Sequence, residues 1–169
     1  GILILRQQAG RWYKGDQPIA SEAIFSHIAN ILFGIYSFGN DDAALIESYV
    51  RPHPFFQQLY HQGVPDIRIV MLKGTALMAM LRLPTASSGG KANLHQGGLG
   101  SGIDLDTGRL KKAFDGTKYQ EVHPDSVIRL TGLTIPHWER LVALAKQSAA
   151  HFPLEFLGVD LVLDAHLGP

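Results

Sequence analysis

Asp66-Ile67-Arg68 sets an acid and a base two residues apart, directly after Val64-Pro65. On a strand both side chains leave the same side. They make either an exposed salt pair of small energetic weight or a grip on a hydroxylated ligand such as a ribose, with Asp66 holding it and Arg68 nearby. Arg82 closes the apolar run Ala79-Met80-Leu81-Arg82-Leu83 ahead of a polar loop. Its donor fork matches a phosphate or a carboxylate, although a strand-end arginine also snorkels readily to solvent. Asp160 interrupts the apolar stretch Phe156–Leu163. A carboxylate there needs a partner, a metal or a mouth to solvent. Magnesium commonly takes one or two carboxylates plus substrate phosphates, and a salt bridge to a neighbouring strand meets the same need.

Between these charges lies Ser87-Ser88-Gly89-Gly90-Lys91-Ala92-Asn93-Leu94-His95-Gln96-Gly97-Gly98, dense in glycine and polar donors. Amides bared by glycine, together with Lys91 and Asn93, suit anionic oxygens; a mobile connection between strands is the plainer reading. A Walker A loop needs a hydroxyl after its lysine, and Ala92 stands there. The Gly98-Leu99-Gly100-Ser101-Gly102 run leads into a strand rather than a helix, against a dinucleotide fingerprint. The eight histidines show no zinc-type spacing, no serine sits in a Gly-x-Ser-x-Gly elbow, and there is no cysteine for thiolate chemistry or disulfides.

The elements that must position these groups follow from periodicity. A first hairpin is expected from Ile2–Arg6 around Gly10 and Gly15, then a helix over Pro18–Phe33 closed by Gly34. Ala44–Val50 reads as a strand stopped by Arg51-Pro52-His53-Pro54. Ile67–Leu72 and Ala76–Leu83 form a hairpin across Lys73-Gly74, and Leu99–Leu105 and Arg109–Phe114 a second across Asp106-Thr107-Gly108. Pro136 opens a helix through Ala150 with Trp138 in its core face, and Phe156–Leu163 is a strand of mostly buried character. Gly168-Pro169 then turns toward a partner strand. The pattern is α+β, antiparallel hairpins flanked by helices. Fifteen basic residues balance fifteen acidic ones in 169, and 46% of residues are hydrophobic. That describes a globular chain with no basic excess for nucleic acid or a membrane surface, and its apolar runs are too short to cross a bilayer.

Taken in order, the pieces carry more than each does alone. They are Gly63-Val64-Pro65-Asp66-Ile67-Arg68, Ala79-Met80-Leu81-Arg82-Leu83-Pro84-Thr85, Gly90 to Gly98 with its Asn-Leu-His-x-Gly-Gly core, Gly102-Ile103-Asp104, His123-Pro124-Asp125, Ile135-Pro136-His137-Trp138 and Leu157-Gly158-Val159-Asp160. The series resembles the alpha-L-glutamate ligase-like proteins of the ATP-grasp superfamily, relatives of the ligases that add glutamate to a ribosomal protein. The resemblance implies a cytoplasmic ATP-dependent ligase that joins glutamate or a similar amino acid to a peptide or small-molecule carboxylate through an acyl phosphate. ATP and magnesium (or manganese) are its cofactors, and a non-catalytic nucleotide-binding module is the alternative. It implies further that Glu47, Ser48, Tyr49 and Val50 form a hinge strand at the adenine edge and that Asp66 holds the ribose. Arg82 is the cation at the γ-phosphate and acyl phosphate, Lys91, Ala92 and Asn93 reach the nucleotide, and Asp160 is the first magnesium ligand.

By the same likeness, residues 1–50 are part of a lid subdomain plus the hinge strand, and 51–169 an incomplete C-terminal subdomain. A glycine-rich lid with its lysine would precede Gly1, and a glutamate and an asparagine of the metal site would follow Pro169. The chain is then expected to be a fragment lacking an N-terminal lobe and the last metal-ligand strand, binding ATP weakly or not at all and inactive alone. Lys91 stands where relatives carry arginine, and Ser48 where an acid is usual.

Overall fold

The computed structural model describes residues 3–169, which divide into two compact units, 3–49 and Val50–Pro169. In the first, β1 (Arg6–Gln8), β2 (Arg11–Lys14) and β3 (Gln17–Ile19) form an antiparallel sheet in that order, and α1 (Ser21–Leu32) follows. The hairpin turns at Ala9-Gly10, but β1 starts at Arg6; Gly1 and Ile2, at the head of the expected strand, lie outside the described residues. Pro18 does not begin the helix. It pairs with Tyr13 in β3, a strand with no further neighbour among the described residues, where a missing N–H is tolerated. Gly34 ends α1 as expected, at φ 72°.

Ala44–Val50 is not a strand; no regular element spans 41–51. The run has the right composition, but strand stability comes from paired neighbours, and no described residue pairs with it. Leu45 and Ile46 are each 87% exposed.

The second unit is a six-stranded antiparallel sheet built from β4 (Asp66–Leu72), β5 (Thr75–Leu83), β6 (Leu99–Ile103), β7 (Leu110–Phe114), β8 (Tyr119–Gln120) and β9 (Phe156–Leu161), in the order β8-β7-β6-β5-β4-β9. Both expected hairpins are present. The β4–β5 ladder runs from Asp66 opposite Arg82 to Leu72 opposite Thr75, with a bulge at Val70/Met71. Alternation decides the faces. Ile67, Ile69, Met71, Leu81, Leu83 and Leu161 are buried on one side, where α3 (Trp138–Ala150) packs with Trp138, Leu141, Ala145 and Ala149. α3 begins two residues after Pro136, because His137 adopts a left-handed conformation (φ 56°).

Two further features depart from the expected plan. The proline-rich stop also launches a short helix, α2 (Pro54–Leu59), with Pro54 at its first turn and His53 Nδ1 accepting from the Phe55 amide. Phe56 and Leu59 join the core. β9 is amphipathic rather than buried on both faces: Phe156, Gly158 and Asp160 are exposed, while Leu161 is buried. Asp164 then accepts backbone N–H bonds from Arg51, His166 and Leu167, tying the end of the chain to the start of this unit. No described helix is long and apolar enough to cross a membrane.

Candidate active site

The face opposite α3 carries the charged groups. Asp66 and Arg68 share it through the two-residue period of β4; Arg82 comes in from β5 opposite Asp66, and Asp160 from β9 opposite Arg68. Three strands thus bring four residues into one ladder. Arg82 Nε donates to Asp66 Oδ1 at 2.5 Å, and Arg82 Nη2 to Asp160 Oδ2 at 2.8 Å. Arg68 donates in fork geometry, Nε to Asp160 Oδ1 and Nη2 to Oδ2, both at 2.7 Å. Arg82 does not snorkel: its side chain is 13% exposed, against 40% for Arg68 and 43% for Asp160.

The set is neutral overall but uneven. Burial lifts the Asp66 carboxyl above its usual value, outweighing the hydrogen bond from Arg82. Hydrogen bonding from Arg68 holds Asp160 below its usual value, and the same contact raises Arg68. Among the described residues Nη1 of neither guanidinium makes a hydrogen bond, so each arginine keeps donor capacity for an incoming anion.

Beside Arg82 the face is stripped of side chains. Gly100 is its cross-strand neighbour on β6 and Gly102 the neighbour of Met80. The glycine-rich connection settles onto this strip, where a Cβ on Gly100 would meet Leu94 Cδ2 at 2.8 Å; within the loop, a Cβ on Gly98 would meet the Asn93 carbonyl oxygen at 2.8 Å. The loop is also stitched internally. Thr85 Oγ1 donates to the Gly97 carbonyl (2.7 Å), Ser88 Oγ donates to the Thr85 carbonyl (2.9 Å), and a short 3-10 turn spans Leu94–Gln96. It is therefore a fixed platform rather than a slack connection, with Lys91 and Asn93 exposed on it and Ala92 half-buried.

Asp66, Arg68, Arg82 and Asp160 come together, and Lys91, Ala92 and Asn93 belong to the loop seated beside Arg82. Glu47, Ser48 and Tyr49 lie in the first unit, in the stretch without regular structure, and Val50 opens the second. The sequence named Arg68 only as a neighbour, yet it makes the fork to Asp160; its two-residue spacing from Asp66 was the available signal. Asp160 is a carboxylate of the type magnesium takes, but both its oxygens engage guanidiniums. No group of three metal-ligating acids, histidines or cysteines occurs among the described residues. Asp160 therefore fits an ion only as one of the few protein carboxylates that accompany substrate phosphates.

An antiparallel α+β sheet with such a face is common to many chemistries, and the comparison with family models decides among them. The model for sugar-transfer associated ATP-grasp domains matches residues 1–169. The chain belongs to that family. The ATP-grasp resemblance therefore holds at the level of the superfamily, and the narrower likeness to alpha-L-glutamate ligases is not supported. No curated protein and no solved structure matches this chain significantly. ATP-grasp domains are typically ATP-dependent ligases that activate carboxylates, and they generally use ATP and magnesium.

Proposed function

We propose that this ATP-grasp chain serves an ATP-dependent carboxylate–amine ligase, and that the ladder on the sheet face is where the phosphoryl group is handled. The observation that carries the reading is Arg82, enclosed between Asp66 and Asp160 with donor capacity left, next to the rigid loop bearing Lys91 and Asn93. A substrate carboxylate oxygen attacks the γ-phosphorus of ATP, the bond to the β-phosphate oxygen breaks, and ADP leaves. An amine nitrogen then attacks the acyl carbon and loses a proton. The C–N bond forms and the C–O bond to phosphate breaks, releasing inorganic phosphate. Most of this work is positioning and charge neutralisation.

In this scheme Arg82 meets the γ-phosphate and acyl phosphate, with Arg68 as a second cation. Lys91, Ala92 and Asn93 reach the nucleotide, Asp66 holds the ribose, and the backbone of Glu47–Val50 takes the adenine edge. Asp160 is the carboxylate that would hold magnesium, and the ion would supply neutralisation of the phosphate oxygens. Glutamate is a candidate amine donor. The family's description as sugar-transfer associated makes sugar acids and amino sugars equal candidates for the two substrates.

The test is ADP release by the full-length protein with magnesium and ATP, with pairs drawn from amino acids, amino sugars, sugar acids and peptides. One pair should stimulate turnover, and Arg82→Ala and Asp160→Asn should each lower it about 100-fold or more with the fold retained. Full turnover in both variants would refute the assignment. A second reading, nucleotide binding without ligation, draws on the saturation of Asp160 by two arginines. ATP binding without product from any pair would favour it.

A further inference from the structure

His123-Pro124-Asp125 stands in the ordered series of motifs but has no place in the reaction above. Its geometry gives it one. The segment follows β8 and closes on itself: the His123 amide donates to the Ile128 carbonyl, and the Val127 amide to the His123 carbonyl. The closed turn drives the His123 ring fully inside, at 0% exposure, where it stacks on Tyr60 with centroids 4.8 Å apart. Nδ1 faces the amides of Asp125 (3.3 Å) and Ser126 (3.4 Å), which only donate. Nδ1 must therefore accept, and the ring hydrogen belongs to Nε2, which donates to the Pro84 carbonyl at 2.9 Å. Two residues along, Asp125 Oδ2 accepts from the Ala86 amide at 2.8 Å.

These contacts grip the chain at Pro84 and Ala86, two and four residues after Arg82 and at the entrance to the glycine-rich loop. Thr85, between the two gripped residues, ties that entrance to the loop's exit at Gly97. From the other side Gly63 approaches so closely that a Cβ there would lie 2.0 Å from the Gly90 carbonyl oxygen. The loop is thus clamped at its base, with Lys91 to Asn93 left at its far end.

We propose that His123 and Asp125 are positioning residues: they hold the loop over residues 85–98, and with it Lys91 and Asn93, in the attitude that meets the nucleotide's phosphates. The inference rests on the nucleotide-facing reading of this loop, but the clamp can be measured without nucleotide. Backbone hydrogen exchange of the full chain would be followed in wild type, Asp125→Ala, Asp125→Asn and His123→Gln. Asp125 has a partly exposed side chain, so its variants fold even where changes at the buried histidine do not.

Asp125→Ala should speed exchange of the Ser88, Gly97 and Gly98 amides about tenfold, while amides of the β4–β5 ladder keep their protection. Asp125→Asn retains an acceptor oxygen and should restore most of the loss. His123→Gln can still donate to Pro84 and should fall between. Unchanged loop exchange, or an increase spread evenly over the sheet, would overturn the clamp. Calorimetric titration of the full-length protein with ATP and magnesium then tests the underlying reading separately. A clamp that behaves as described in a full-length protein without ATP affinity would refute the nucleotide role, not the clamp.

Discussion

Arg82 binds one carboxylate from its cross-strand partner and a second from two strands away. Its loss leaves Asp66, 80% hidden from solvent, without its guanidinium. Arg82→Ala should therefore lower stability by about 2 kcal/mol, read as a lower urea midpoint, and Arg82→Lys should recover only part because ammonium lacks the fork. Acid acts on the aspartates in opposite directions. Asp164, held by three backbone amides, has its pKa lowered from 3.8 to about 2. Its contribution is complete above 3.8 and drains away as pH falls toward 2. Asp160 behaves likewise, since Arg68 holds it low. Asp66 is shifted upward by burial, so its protonation favours the folded form as pH falls. Urea midpoints measured from about pH 6 to 2 should drop. Asp164→Asn should flatten the drop and Asp66→Asn steepen it; the reverse pattern would contradict the pairings described. The sequence exposed Asp66, Arg82 and Asp160 as unusual. It did not show that they pair with one another, because Asp160 lies 78 residues from Arg82 and meets it only through strand order.

At the scale of elements, the glycine-rich loop depends on how closely backbone can approach backbone. Gly63 combines φ 95° with the tight contact to Gly90. Gly63→Ala should cost roughly 2–3 kcal/mol and loosen the loop, seen as a lower melting temperature with faster exchange at residues 85–98. Gly74→Ala, also at positive φ but with no atom near its Cβ, should cost less. The two long hairpins were legible because alternation and turn glycines agree there. Ala44–Val50 misled because β-type composition without a pairing neighbour makes no strand. α2 escaped notice because proline reads as a stop, whereas Pro54 fills a first-turn position whose N–H would be unpaired anyway.

Across the whole molecule, every buried hydrophobic side chain among the described residues, from Phe56 to Leu163, belongs to the second unit. The first unit leaves Phe25, Phe33, Phe38, Leu45 and Ile46 exposed, and α1 buries none of its residues. A polypeptide of residues 50–169 should therefore unfold cooperatively by itself and keep the Asp66–Arg82–Asp160 ladder, whereas 1–49 alone should not fold. Circular dichroism with thermal melting of each piece checks this. A cooperative transition in the shorter piece, or none in the longer, would contradict it.

By itself the sequence determined the α+β class, the hairpins around the site, the ATP-grasp resemblance and the identity of the unusual charges, all of which depend on local periodicity and residue type. Only the tertiary structure decided that Asp66, Arg68, Arg82 and Asp160 form one ladder. Strand order and register set those neighbours, and β9 reaches β4 after a long excursion through the rest of the sheet and α3. It also decided that the glycine-rich stretch is a clamped platform. The atoms that clamp it, on His123, Asp125 and Gly63, come from segments far away in the chain.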